Sequence, residues 1–162
     1  MPMNQEGREW KPVYPGWGLL DLASRRRIDP PSLVTDGDTV ITDWELHDFA
    51  VQTVRRHLKD EGLTVVSWAG DPEVDPSLWI ERDGKMEWVL VRAVRYPARR
   101  AAVPRQIAAI ARDCAAIASR GHFASVAVAN AEDLEAPLSR GYGYHVAFSG
   151  LEEIGAEAAR VE

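Results

Sequence analysis

The chain predicts a mixed α/β (α+β) domain with element order α-β-β-β-α-β-β and a central mixed sheet flanked by helices. Three observations carry this expectation. Two stretches, residues 43–62 and 105–121, repeat apolar residues at helical spacing and end on Gly62 and Gly121. Residues 78–96 hold two strand-like runs joined by Asp83-Gly84, a dipeptide suited to the tightest hairpin turns. A later run, "FASVAVANA", is apolar throughout, as a short strand inside a covered sheet must be.

Residues 1–41 read as an N-terminal arm laid on the domain. The arm holds five of the ten prolines and has no sustained periodicity, and "SRRRIDPPS" reads as a charged, proline-rich turn. Trp10, Tyr14, Trp17, Leu19, Leu20 and Leu22 make it too apolar for a free linker. The first helix starts at Thr42 or Asp43 as N-cap, with Glu45 in its first turn. Leu46, Phe49, Ala50, Thr53, Val54 and His57 share one face, and Arg55, Arg56 and Lys59 lie outside it. "LTVVSWAG" predicts a strand, and "SLWIER" with "KMEWVLVRAVRY" predicts the hairpin. The second hairpin arm is apolar on both faces and is therefore expected at the centre of the sheet.

Pro104 stands near the start of "RQIAAIARDCAAIASRG", whose expected buried stripe is Ile107, Ile110, Ala111, Cys114, Ile117 and Ala118. After "FASVAVANA" comes the loop "EDLEAPLSRG". "YGYHVAFSG" then predicts a strand with Tyr144, Val146 and Phe148 on one face. One domain spans 42–155, and residues 156–162 are a tail.

Composition excludes several classes. At 162 residues the chain suits one domain plus an extension, and its 46% hydrophobic and 27% charged shares are ordinary. No apolar run reaches the ~18 residues of a membrane span, and the N-terminus lacks a signal-peptide core. The single Cys114 forms no intrachain disulfide and suits a reducing, cytoplasmic setting. Net charge is −6, against a general nucleic-acid coat, yet Trp88 to Arg112 carries six arginines and no acid. If Arg95, Arg99, Arg100 and Arg105 converge, they form an anion site. Otherwise they are a solvated face paired with the acidic C-terminal region. The histidines His47, His57, His122 and His145 never fall at i, i+4, so no zinc site is expected. Cys114 lies on an apolar stripe as an inert thiol. Trp44, Trp68, Trp79 and Trp88 read as core or strand-face residues.

One charge stands out. Arg92 interrupts a strand flanked by Val89, Leu90, Val91, Ala93 and Val94. A guanidinium there must snorkel out or meet an acid. Asp75, Glu45 and Glu81 are the candidate acids.

Over residues 43 to about 149, this order resembles the restriction-endonuclease-like, or PD-(D/E)xK, fold. In that family an aspartate opens the second strand and an acid-x-lysine triplet lies in the third. Here Asp75 precedes "PSLWIE", and fourteen residues separate it from Leu90-Val91-Arg92. The acid position holds Leu90, which ligates nothing, and the lysine position holds Arg92, which stays protonated and cannot act as a base. The resemblance brings the second-strand aspartate beside the third-strand basic residue, which implies Asp75 as the best partner of Arg92, with Glu45 or Glu81 as alternates. The resemblance therefore implies a non-catalytic module, a pseudoenzyme without cofactor or metal, binding a nucleic acid or a protein partner. A second reading keeps a metal-dependent nuclease, with Mg²⁺ as cofactor held by relocated groups: Asp75, Glu81, Glu45 and Gln106. The plainer reading of those groups is a first-turn helix acid at Glu45, a hairpin surface charge at Glu81 and a solvated Gln106. A third reading is a structural or oligomerisation domain, a homodimer in which the arm packs on a second copy.

Overall fold

The computed structural model describes residues 37–154, together with 21, 23–26 and the backbone of 3–6 and 9–12. The chain divides into two compact units, Met1–Asp38 and Thr39–Glu162. In the first, β1 (Met3–Glu6) and β2 (Glu9–Pro12) pair antiparallel, so regular structure exists where the sequence showed no period. The arm residues Tyr14, Trp17, Leu19, Leu20 and Leu22 and the tail 156–162 lie outside the described residues, as does the side chain of Trp10.

The second unit runs α1 (Asp43–Asp60), β3 (Thr64–Trp68), β4 (Leu78–Arg82), β5 (Lys85–Arg95), α2 (Ile107–Cys114), β6 (Gly121–Asn130), β7 (Tyr144–Phe148) and β8 (Glu152–Glu153). It is a mixed α/β arrangement: a six-stranded, mostly antiparallel sheet in the order β3-β4-β5-β6-β7, with β8 on the first residues of β6. Only β5 and β6 run parallel among the described strands, and α2 lies in the crossover between them. The hairpin closes as Asp83-Gly84 requires, with positive φ of 51° and 72° at the two turn residues. Among the described residues no helix is long and apolar enough to cross a membrane.

Strand parity divides the core into two layers. On one face Val89, Val91, Ala124, Val126 and Val128 pack under α1 through Leu46, Ala50, Val51, Val54 and Leu58. On the other, Trp88, Leu90 and Phe123 pack with Ile110, Cys114 and Ala118. Each fully buried aliphatic or aromatic side chain contributes about 1.5–3 kcal/mol of transfer free energy. The rows of valine and leucine in β5 and β6 thus fix register as well as stability, because a one-residue slip would exchange the layers.

Several expectations need correction. The buried stripe of α1 is rotated: His47, Val51 and Leu58 are inside, while Phe49, Thr53 and His57 sit at its margin. Phe49 and His57 instead make edge contacts with Tyr144 and Phe148, at 5.4 and 5.0 Å between centroids. The second helix stops at Cys114, and the chain tightens through turns (Ile117 N–H to Cys114 C=O, 2.9 Å) to enter β6. Ile117 is therefore exposed rather than in the stripe, and Gln106 is the N-cap of α2 without a side-chain capping bond. Trp44 and Trp68 are exposed, the latter under the Arg55 guanidinium at 3.6 Å, and Val146 faces solvent more than its strand partners do.

Candidate functional site

The carboxyl end of β5 gathers one set of polar groups around Arg92. β4 and β5 pair Leu78 with Val89, and extending that register by three residues sets Asp75 opposite Arg92. The Ser77 hydroxyl accepts a hydrogen bond from the Val91 N–H at 3.1 Å, which ties the loop before β4 to the strand. The Arg92 guanidinium then donates to both oxygens of Asp75, at 3.0 and 2.7 Å, and to the Val91 carbonyl at 2.8 Å. The two side chains are only 20% and 19% exposed. A bidentate, charge-assisted pair in such surroundings fixes geometry as well as charge.

A cavity of about 440 Å³ opens beside this pair, lined among others by Asp43, Leu46, His47, Pro72, Arg92 and Arg95. Arg95 donates to Asp43 and, at 3.0 Å, to the Ile41 carbonyl, so the start of α1 is pinned to the end of β5. His47 is 5% exposed, and its Nε2 has no hydrogen-bond partner among the described residues. Burial lowers its pKa first and the positive charge of Arg92 lowers it further, against the pull of Asp75, Asp48 and Asp71, so the ring is neutral at neutral pH. The site thus holds two arginine–aspartate pairs and a neutral imidazole. Its charges cancel pairwise. Burial raises the Cys114 thiol, with Asp113 and Asp75 adding to the effect, which leaves it an inert core group.

The other sequence-selected residues lie apart from this arrangement. Glu45 closes a capping box with Thr42 and accepts from Arg140 at 2.7 Å, which together hold its carboxyl at about 2. Glu81 is exposed on β4 opposite Met86, and Gln106 is exposed at the start of α2. Glu45 and Glu81 thus have other surroundings than Arg92, and among the described residues no three His, Cys, Asp or Glu side chains gather as a metal-binding group. The expected anion cluster is divided as well. Arg95 is held by Asp43 and Arg100 by Glu152, whereas Arg99 and Arg105 are exposed without a carboxylate partner among the described residues.

Sequence reasoning passed over a second polar centre at the opposite end of β5. Glu87 is buried and meets His122 Nε2 at 2.7 Å, Arg82 Nε at 3.3 Å and Arg120 Nη1 at 3.3 Å. Arg120 also reaches Glu153 of β8 at 3.1 Å. The one available signal was Glu87 itself, a charged residue inside an apolar strand, which says nothing of its partners.

A family model described as a domain of unknown function, DUF8840, matches residues 44–154. The chain belongs to that family. No curated protein and no solved structure matches it. The DUF8840 match takes in the Arg92–Asp75 pair, the Glu87 centre and every element from β3 to β8, so these features belong to the family domain rather than to the arm.

Proposed function

We propose that this DUF8840 domain is a non-catalytic binding module with a restriction-endonuclease-like topology, and that its partner is a protein. The observation that carries the reading is the bidentate Arg92–Asp75 pair. On the restriction-endonuclease-like reading, the pair takes the place of a nuclease's metal, and it engages both oxygens of the carboxylate that would serve as ligand. The meander β3–β4–β5, the crossover through α2 and the parallel β5–β6 pair support the topology. A protein partner is favoured over nucleic acid because Arg95 and Arg100 already carry carboxylates, while Trp44 stands 52% exposed at the start of α1. Exposed aromatic anchors are characteristic of protein interfaces.

The test combines two assays. Plasmid and RNA substrates should remain intact with Mg²⁺ or Mn²⁺ present, and metal-dependent nicking that disappears in Asp75→Ala would overturn the non-catalytic reading. Duplex DNA should bind weakly. A log–log salt slope near −3.6, the value for about four phosphate contacts, would instead assign Arg95, Arg99, Arg100 and Arg105 to a nucleic-acid surface.

A further inference from the structure

Among the described residues, the α2 side of the sheet is only partly covered. α2 packs over Trp88, Leu90 and Phe123, towards the first residues of β6. Beyond it, the same face of β6 and β7 presents Ala127, Ala129, His145 and Ala147, whose odd parity sets them opposite the α1 layer. These residues, with Tyr96 and Arg99, line an apolar cavity of about 310 Å³. That volume falls at the small end of ligand pockets, which run from about 300 to 1,000 Å³. The three alanines leave room that larger side chains would fill.

Arg99 gives the cavity its polarity. Arg92, Arg95 and Arg100, its neighbours in the chain, each have a carboxylate partner, whereas Arg99 has none among the described residues. The cavity also opens where the parallel strands β5 and β6 end, since Tyr96 follows Arg95 and Ala129 precedes the last residue of β6. In open sheets, ligands gather at the carboxyl ends of parallel strands.

We infer that this cavity binds a small organic acid, with a flat apolar body lying on Ala127, Ala129 and Ala147 and its carboxylate paired with Arg99. Apolar burial supplies the contact, and the unpaired guanidinium selects the anion. The ligand chemistry is independent of the partner proposed above and of the Arg92–Asp75 pair.

Amide chemical shifts of the full chain, titrated with indole-3-acetate and separately with its neutral amide, test the assignment. The acid should shift Ala127, Ala129, Ala147 and Arg99, and should bind about tenfold tighter than the amide, the worth of one charged hydrogen bond. In Arg99→Gln that preference should fall to about one, through loss of affinity for the acid. Ala147→Trp, on an exposed strand position, should block both ligands. Equal affinity for acid and amide in the wild type, shifts that map elsewhere, or no shifts at millimolar acid would each overturn the inference.

Discussion

Arg92 and Asp75 are desolvated together, so each depends on the other to offset the cost of leaving water. Arg92→Met is expected to strand the carboxylate and lower stability by about 3 kcal/mol, the lower end for a buried pair. Asp75→Asn combined with Arg92→Met should recover part of that loss in urea unfolding. An Arg92→Met protein as stable as wild type would show that Asp75 needs no partner. His47 makes a different demand. Its folded-state pKa is depressed, so the unfolded chain binds the proton more readily, and stability falls as pH drops below the ordinary value of 6.5. His47→Leu removes both the titration and the unpartnered Nε2. It should flatten this part of the stability–pH profile without loss near neutrality; superimposable profiles would mean that the imidazole is not held neutral.

Elements here are joined by close approach as much as by side-chain filling. Gly121 begins β6 against Trp88, where a Cβ would lie 2.1 Å from the indole ring. The ring is 1% exposed and packed within the α2 layer, so it has no free space to yield. Gly121→Ala is expected to cost about 1–3 kcal/mol through displaced packing, with the loss read from denaturant midpoints. A substitution tolerated without a midpoint shift would show that the crossover end slides easily over Trp88. The neighbouring β8 adds two residues to the same end of the sheet, tied by Arg120–Glu153 as well as by its backbone pairing with His122 and Phe123.

Across the molecule, the two polar centres sit at opposite ends of β5, five residues or roughly 17 Å apart along the strand. They share no partner, so Arg92→Met and Arg120→Met should have additive effects within about 0.5 kcal/mol. A larger coupling in the double variant would mean that the strand transmits strain between them. This separation also marks what a sequence can convey. The hairpin and the central position of β5 were legible because apolar runs and an Asp-Gly turn are local patterns, whereas the Asp75–Arg92 juxtaposition was expected from a family resemblance and not from any local period. The Glu87 centre was not, since its partners arrive from β4, the end of the crossover and β6, through register that no local period encodes. The orientation of α1 escaped for a related reason: Phe49 and Val51 are similarly apolar, and only the position of β7 decides which becomes marginal. The two-residue β8 carries no hydrophobic alternation from which to read it.

The parallel pairing of β5 with β6 bears on rates. β4 and β5 meet across a two-residue turn, whereas Trp88 meets Gly121 only after the rest of β5 and the 96–120 crossover have been traversed. Loop-closure entropy delays such distant contacts, which places the meander in the folding nucleus and the docking of β6 behind it. Crowding at Gly121 should then leave the refolding limb of a chevron almost unchanged and steepen the loss on the other side: the altered protein forms at its usual speed and comes apart sooner.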